Sequence, residues 1–263
     1  MPVPKDKLRL GGMALRNGLL VHGPTHWAAA VRTKAGDVKV ASGHKPRFTE
    51  ADGVPGVRGL ARLAEAFAVI PLVKKGLPEA KLAFEQPSVL GVAAGASIAG
   101  TLLRRRAPGV AGEMASSVIA LAPALFALRG GELAAYHGVE HKAIAAYEAD
   151  DEDARDALKE HERCGSHLMA PMLAANLAGT LLLKRAATRP NAVTGGAVAL
   201  ASTAAAVEVF AWTERHADSP VTKALKKPGY ELQRLIGTRE PDERQLEVGR
   251  AALAEILRVE DSN

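Results

Sequence analysis

Four long apolar segments alternate with polar stretches along the chain. They cover residues 88–103, 114–128, 168–183 and 192–212. A helix that crosses a bilayer needs about 20 apolar residues, within a range of roughly 17–25. The last segment reaches that length, and the shorter first two end at arginines whose long side chains can extend toward the polar boundary. The four segments and their basic ends predict a multi-helix, membrane-embedded bundle.

The N-terminal region shows a shorter hydrophobic period. Apolar runs at residues 19–21 and 27–32 are separated by Gly23 and Pro24, and a second glycine-containing turn precedes an alternating stretch. Short apolar runs separated by such turns are typical of antiparallel strands. Residues 8–47 are therefore predicted to form a small antiparallel sheet.

Further stretches have a helical period or a turn signature. Residues 57–86 repeat apolar side chains at helical spacing, and Pro71 is expected to kink or end this helix. The helix is amphipathic, so it either lies on the bilayer surface or packs against the core. Toward the C-terminus, residues 226–229 (Lys-Lys-Pro-Gly) predict a loop, and a final helix is expected from about Asp242 to Val259.

These elements predict a mainly α-helical fold with a small N-terminal antiparallel β element. We divide the chain into a β-rich N-terminal region, residues 1–56, a helical membrane region, residues 57–218, and a C-terminal loop and helix, residues 219–263. The sequence contains neither a glycine-rich phosphate loop nor a Gly-x-Ser-x-Gly elbow. Nucleotide binding and serine hydrolysis therefore have no support.

The strongest chemical signal is the sequence Tyr-His-Gly-Val-Glu-His-Lys that begins at Tyr136. We predict a helix over residues 136–148, in which His137 and His141 lie one turn apart on one face and Glu148 returns to nearly the same face two turns later. Two imidazoles and a carboxylate on one face suit zinc or a similar divalent metal. Glu140 lies one position off that line, and in the inverted zinc-hydrolase spacing His-x-x-Glu-His the glutamate is the general base. Two histidines on a solvated helix would give the same spacing without a metal.

A second polar stretch supplies further candidate ligands. It runs from His161 to His167 and contains Cys164, the single cysteine of the chain. A catalytic zinc ion has three protein ligands and one position for water, whereas a fourth protein ligand makes the site structural. Besides the two motif histidines, the candidates for a third ligand are Glu148, His161, Cys164 and Glu208. Glu208 lies in the last apolar segment, where an ionisable group is costly and therefore suggests a function. If that segment ends near Phe210, Glu208 instead lies at the membrane interface.

These motifs, together with sequences near both ends of the chain, resemble the YqhQ-like family of uncharacterised bacterial membrane proteins. Residues 11–14 (Gly-Gly-Met-Ala) resemble its glycine-rich opening, and residues 238–242 (Thr-Arg-Glu-Pro-Asp) resemble its closing signature. The likeness runs over nearly the whole chain, in the same order. It implies a membrane protein with metal-dependent enzymatic chemistry but names no substrate. The chain departs from the family at Asn17, where a glutamate is usual, and at Glu162, where a proline is usual.

Composition and charge narrow the possible partners. Of the 263 residues, 48% are hydrophobic but only 4% are aromatic, so the apolar content consists mainly of small and aliphatic side chains. This composition is typical of either a helical core of small residues or closely packed membrane helices. The net charge of +5 permits contact with anionic lipid or nucleic acid. We expect the lipid bilayer as a partner and no nucleic acid. The sequence indicates neither a substrate nor an oligomeric state.

Two signals for the membrane orientation disagree. If the apolar segments cross in pairs, both polar termini and the motif region share one face, and the two short basic loops lie on the other. Basic residues in short loops favour a cytoplasmic position for those loops. The single cysteine and the absence of an apolar signal sequence favour a cytoplasmic motif region instead. We expect a multi-pass protein of the cell membrane with the motif region on the cytoplasmic face.

Three functions are compatible with these features. The leading hypothesis is a membrane-embedded, metal-dependent enzyme, a hydrolase in which His137, His141 and one carboxylate hold zinc and Glu140 activates water. The alternative is a non-catalytic membrane scaffold or assembly factor with a structural His/Cys metal site. The third is transport of a metal or of protons, against which the lack of an internal repeat argues. An open ligand position favours the enzyme, and a closed four-ligand shell favours the scaffold.

Overall fold

The computed structural model describes most of the chain, with helices as the main component. The described residues are 7–51, 53–54, 56–107, 109–129, 131–151, 153–186 and 192–262. The strands are β1 (Gly11–Leu15), β2 (Gly18–His22), β3 (His26–Arg32) and β4 (Val38–His44). The α-helices are α1 (Val57–Gly76), α2 (Pro87–Arg106), α3 (Val110–Ile119), α4 (Ala122–Leu128), α5 (Glu132–Ala149), α6 (Met169–Ala186), α7 (Ala192–Arg215), α8 (Pro220–Leu232) and α9 (Glu243–Asp261). Short 3-10 turns occur at Thr49–Ala51, Ala83–Glu85 and Gly165–Leu168, and a π-helical turn at Gln233–Gly237 follows α8.

The four strands form an antiparallel meander in the order β1-β2-β3-β4, which confirms the predicted N-terminal sheet. The two inner strands are buried along nearly their whole length. Their apolar runs are continuous because both faces of the sheet are covered. One face packs against Val69 and Val73 of α1, and the other packs against α5 and α9.

Helix α1 continues past Pro71 to Gly76, so the predicted stretch of residues 57–86 is helical only in its first part. Pro71 is exposed, whereas Val69 and Val73 are buried against the sheet. Packing of these neighbours on both sides of the proline holds the helix together despite the missing amide donor. After Gly76 the chain turns, and Ala83–Glu85 form only a short 3-10 helix.

The loop predicted at residues 226–229 is wrong, because α8 runs through Pro228 to Leu232. Two tertiary contacts hold this segment in place. Lys226 Nζ donates to Glu214 at 2.8 Å, and the Lys226 carbonyl accepts from Nδ1 of His167 at 3.0 Å. The final helix α9 agrees with the prediction, since the Asp242 side chain caps it by accepting the backbone N–H of Gln245.

Four helical segments are long and apolar enough to cross a membrane. They are Pro87–Arg106, Val110–Leu128, Gly165–Ala186 and Val193–Arg215, and we number these segments spans 1 to 4. Between 11% and 17% of the residues in each are buried within the protein. Large apolar side chains such as Ile98, Leu182 and Leu200 therefore remain on the outside, where hydrocarbon would cover them. This arrangement agrees with the predicted membrane-embedded bundle.

The sheet, α5 and α9 share one hydrophobic core. One core cluster contains Leu19 and Val21 of the sheet, Val139 of α5, and Val248 and Ile256 of α9. This cluster therefore contains residues from all three regions into which we divided the sequence. Four crossings return the chain to the face from which it started, so a shared core of the sheet, α5 and α9 is compatible with that topology.

We expect the protein to remain in the membrane fraction when membranes are washed with about 1 M salt, because salt at that concentration reduces the Debye length to roughly 3 Å and screens surface charge. Hydrophobic burial of four spans is not weakened by such a wash. Sedimentation followed by immunoblotting checks this result. Release of the protein by salt alone would identify the four segments as core helices of a peripheral protein.

Candidate metal centre

The two motif histidines lie on α5, which confirms the predicted helix over residues 136–148. His137 and His141 are one turn apart, and their ring centroids are separated by 4.4 Å. His141 is buried, and His137 is partly exposed. Burial is the main cause of a lowered pKa for His141, which is therefore held in the neutral form that binds metals.

Cys164 joins these two histidines from the coil that follows α5. One ligand atom from each of His137, His141 and Cys164 lies within 4.8 Å of the other two. The Cys164 Sγ atom is 3.4 Å from Nε2 of His137. In a tetrahedral zinc site with Zn–N near 2.0 Å and Zn–S near 2.3 Å, an N···S separation of about 3.5 Å is expected. The separation of His137 and Cys164 therefore matches that of two ligands of one zinc ion.

Backbone carbonyls fix the orientation of both imidazole rings. Nδ1 of His137 donates to the Gly237 carbonyl at 2.8 Å, and Nδ1 of His141 donates to the Lys159 carbonyl at 2.6 Å. A carbonyl oxygen can only accept, so each Nδ1 carries the proton and each Nε2 keeps its lone pair. Metal-binding histidines characteristically have such a partner on the second ring nitrogen.

Lys142 and Gly138 hold the segments that supply these carbonyls. Buried Lys142 donates through Nζ to the carbonyls of Arg155 and Ala157, at 2.9 and 2.7 Å, and so fastens the coil before Lys159 to α5. A Cβ atom at Gly138 would lie 2.4 Å from the carbonyl oxygen of Arg239. Only glycine therefore lets the segment after the π-helical turn approach α5 closely.

Gln233, at the start of the π-helical turn, connects the segments around the centre. Its side chain is fully buried, accepts the backbone N–H of His161 at 2.8 Å and donates to the Ser166 hydroxyl at 2.8 Å. Neither Gln233 nor Lys142 was predicted from the sequence to contribute to this centre. Gln233 lies in the C-terminal stretch, and nothing in its spacing from α5 indicates that it reaches the coil around Cys164.

Glu140 is buried against strand β1. A Cβ atom at Gly12 would lie 2.7 Å from the Glu140 carboxyl group, so the glycine-rich opening makes room for this side chain. Burial raises the pKa of Glu140, against the opposing effect of His137 and His161. A raised pKa makes this carboxylate, next to His141 in the sequence, a better proton acceptor than an exposed one.

Gly11 makes room for a second titratable side chain on the opposite face of β1. A Cβ atom there would lie 2.9 Å from Cε1 of His22. Burial, assisted by the charge of Lys45, lowers the pKa of His22 to about 4, so this ring is neutral at physiological pH. The paired glycines thus accommodate one titratable side chain on each face of the sheet.

Glu148 and His161 lie beside the centre but are engaged with each other. Nδ1 of His161 accepts the backbone N–H of Arg163 at 3.2 Å, so its Nε2 carries the proton, and Nε2 is 3.6 Å from the Glu148 carboxylate. Arg163 pairs with the same carboxylate. Burial opposes ionisation of Glu148, but hydrogen bonds from His161 and Arg163 lower its pKa overall. The His161 and His141 rings are 5.7 Å apart.

Glu208 lies outside the group formed by His137, His141 and Cys164. Its carboxylate accepts from the guanidinium of Arg58, at 2.6 and 3.1 Å, and from the backbone N–H of Gly56 at 2.9 Å. These contacts connect span 4 to the start of α1. The structure therefore accounts for an ionisable group in this span through ion pairing.

Replacing Gly138 by alanine is expected to lower both stability and metal content. The new methyl group would overlap the Arg239 carbonyl, and overpacking of this kind costs about 1–3 kcal/mol. It would also displace the neighbouring Gly237 carbonyl that orients His137. Gly91→Ala in α2 is the matched control, since a Cβ atom there meets nothing within 4 Å. Thermal unfolding and metal analysis of both variants test this, and equal behaviour would show that the close approach is not required.

Comparisons with known proteins agree with the resemblance seen in the sequence. A model of the family described as "Protein of unknown function (DUF1385)" matches residues 132–259, which include all the candidate site residues. The chain is 25% identical, over 295 aligned positions, to the uncharacterised protein YqhQ of Bacillus subtilis (strain 168). That alignment covers 95% of this chain and 92% of the relative. No solved structure shows significant similarity to the chain.

Proposed function

The chain belongs to the YqhQ-like family, and we propose that it is a membrane-embedded, metal-dependent hydrolase. In this proposal, His137, His141 and Cys164 hold a divalent metal ion, and zinc is the ion that best suits two imidazoles and a thiolate. The family comparisons name no ligand and no activity, so the proposal depends on the geometry of these side chains.

The observation that supports the proposal is the convergence of three oriented donors. One ligand atom from each of His137, His141 and Cys164 lies within 4.8 Å of the other two, and Nδ1 of each ring is held by a backbone carbonyl. The two remaining nearby candidates, Glu148 and His161, are paired with each other. Three protein ligands leave one coordination position for water, which is the arrangement of catalytic zinc sites.

Glu140 is the proposed general base. A zinc ion bound at this centre supplies Lewis acidity and lowers the pKa of a coordinated water molecule to about 7. Glu140 precedes His141 on α5, and burial raises the pKa of its carboxyl group, which makes the carboxylate a better proton acceptor. Packing against Gly12 restricts the rotamers of the side chain and so favours a fixed position.

A structural metal site in a membrane scaffold is the second candidate. It is favoured by the number of segments that meet at the centre, since α5, the coil from Arg155 to Cys164 and the π-helical turn all contribute contacts. A metal held there would connect these segments. This function requires a fourth protein ligand, for which Glu148 or His161 would have to leave its present partner.

We place the metal centre on the cytoplasmic face of the cell membrane. Cys164 is a free thiol, and a reducing compartment keeps it available as a ligand. Two basic residues near the far ends of the spans, Arg104 and Lys184, pair with the carboxylate of Glu113, at 3.0 and 2.7 Å. This pairing gives these two residues a role in helix packing, apart from any role in membrane orientation.

Removal and return of the metal tests the proposal. Detergent-purified protein should hydrolyse at least one member of a panel of chromogenic ester, phosphoester and peptide substrates. Chelation should abolish that activity, and an equimolar amount of zinc should restore it. Stable metal binding without any metal-dependent turnover across the panel would favour the scaffold function.

A further inference from the structure

A second candidate site lies in a cleft of about 810 Å³ at the edge of the membrane bundle. The cleft is lined by His167, near the start of span 3, and by Arg215, at the end of span 4. Helix α8 lines it as well. Because two spans end there, the cleft lies at the level where a bilayer passes from hydrocarbon to headgroups.

Helix α8 presents a basic stripe to this cleft. Lys223, Lys226, Lys227 and Tyr230 all line it, and their spacing of three, four and seven residues places them on one helix face. Lysine and tyrosine are the residue types that occupy the membrane–water boundary, where an ammonium group or a phenol reaches the polar layer. This face therefore has the composition of a headgroup-binding surface.

Two of the three lysines are available to bind an anion. Lys226 is already engaged, with Glu214 at 2.8 Å and Glu162 at 3.9 Å. Lys223 and Lys227 are exposed, and within the described part of the chain neither has an ion-pair partner. Arg215 adds a further positive charge to the lining, and Asp218 adds a negative one. The lining thus keeps an excess of positive charge after its internal pairs are counted.

Thr222 is a third, independent indication of a ligand. It lines the cleft, is only 1% exposed, and its Oγ1 atom finds no hydrogen-bond partner among the described residues. A buried hydroxyl group without a hydrogen-bond partner is energetically unfavourable. In native proteins such a group is usually hydrogen-bonded to a ligand or to water. An anionic oxygen bound in the cleft would supply the missing partner.

We propose that this cleft binds the phosphate of an anionic phospholipid headgroup. Lys223 and Lys227 would make charge-assisted hydrogen bonds to phosphate oxygens, and the Thr222 hydroxyl would donate to a further one. The acyl chains would stay in the bilayer beside spans 3 and 4. The site is separate from the metal centre, and its existence does not depend on the proposed hydrolase function.

Native mass spectrometry of the full-length protein in detergent tests this assignment, with phosphatidylglycerol compared with phosphatidylcholine. The wild type should bind phosphatidylglycerol in preference. A lysine near a membrane surface contributes about 1 kcal/mol, so Lys223→Gln combined with Lys227→Gln should weaken phosphatidylglycerol binding by about tenfold or more. Unchanged binding by this double variant would overturn the proposal.

Two controls separate a built site from general surface charge. Lys34→Gln combined with Lys75→Gln makes the same charge change at exposed positions outside the cleft lining and should leave binding unaltered. Thr222→Val keeps the side-chain shape, so it should weaken lipid binding by about threefold without lowering the melting temperature in lipid-free detergent. An equal loss in the Lys34/Lys75 control would show non-specific attraction. Equal competition by inorganic phosphate would assign the cleft to a soluble phosphate ligand and overturn the lipid proposal.

Discussion

Replacing His141 by alanine is expected to abolish metal binding, whereas the wild-type protein should retain about one divalent ion per chain through purification. Loss of an outer partner of a metal ligand already weakens binding by about 10–100-fold, and loss of a direct ligand should exceed that. His137→Ala and Cys164→Ser should behave in the same way, because each removes one of the three convergent donors. Elemental analysis of detergent-purified variants measures the effect.

Three further variants serve as controls for the metal analysis. His216→Ala removes an exposed histidine that stacks on Trp212, so it controls for the loss of an imidazole as such. Glu148→Gln and Glu208→Gln test the two carboxylates predicted as ligands from the sequence, and both should keep the metal because their present partners are Arg163 and Arg58. Equal metal content in the wild type and His141→Ala would remove the basis of the metal centre.

Metal loss should also lower stability. A bound structural or catalytic ion contributes its binding free energy to the folded state, since the unfolded chain does not hold the ligands together. His141→Ala should therefore have a lower melting temperature than the wild type, and added zinc should raise the melting temperature of the wild type alone. A similar response of both proteins to zinc would indicate binding at another position.

Hydrophobic spacing was sufficient to predict the main elements. The apolar segments and the strands follow from hydrophobic periodicity, because burial and lipid contact select the same residue types that the pattern records. Helix α5 was predicted instead from the spacing of His137, His141 and Glu148. The loop predicted at residues 226–229 was wrong because Pro228 lies within α8. Local proline chemistry argues against helix, but contacts from residues distant in sequence, such as Glu214 to Lys226, outweigh that local preference.

Cys164, the third side chain of the metal centre, was harder to predict from the sequence than the two histidines. Helix geometry favours Glu148, because its position on the same face as the histidines follows from spacing alone. In the structure Arg163 and His161 engage Glu148, and the coil brings Cys164 to the histidines instead. The path of an irregular coil depends on contacts such as those of Lys142, which spacing does not reveal.

The partners that orient the two histidine rings could not be predicted at all. They are the backbone carbonyls of Lys159 and Gly237, and every residue carries such a group. Glu208 presents the opposite difficulty. Its chemistry is conspicuous, but its partner Arg58 lies 150 residues away in the sequence. Only the packing of span 4 against α1 decides between a metal ligand and an ion pair.

Glu140→Gln should separate metal binding from catalysis. The amide has nearly the same shape as the carboxyl group, so packing against Gly12 and the helix itself should be preserved, and the metal should remain. The amide cannot accept a proton, so turnover of any metal-dependent substrate should fall by roughly 10²–10⁴. Metal analysis and steady-state rates on the same preparation measure both quantities. Glu132→Gln is the matched control, because Glu132 is exposed at the start of the same helix.

Each other outcome for Glu140→Gln would assign this residue a different role. Loss of the metal together with activity would make the Glu140 carboxylate a direct ligand, and the centre would then have a complete set of four protein donors, as in a structural site. Retention of both metal and full activity would reduce Glu140 to a packing residue beneath β1. In that event a group other than Glu140 would have to accept the proton, and His161 is not free to do so while its Nδ1 accepts the Arg163 N–H and its protonated Nε2 faces Glu148.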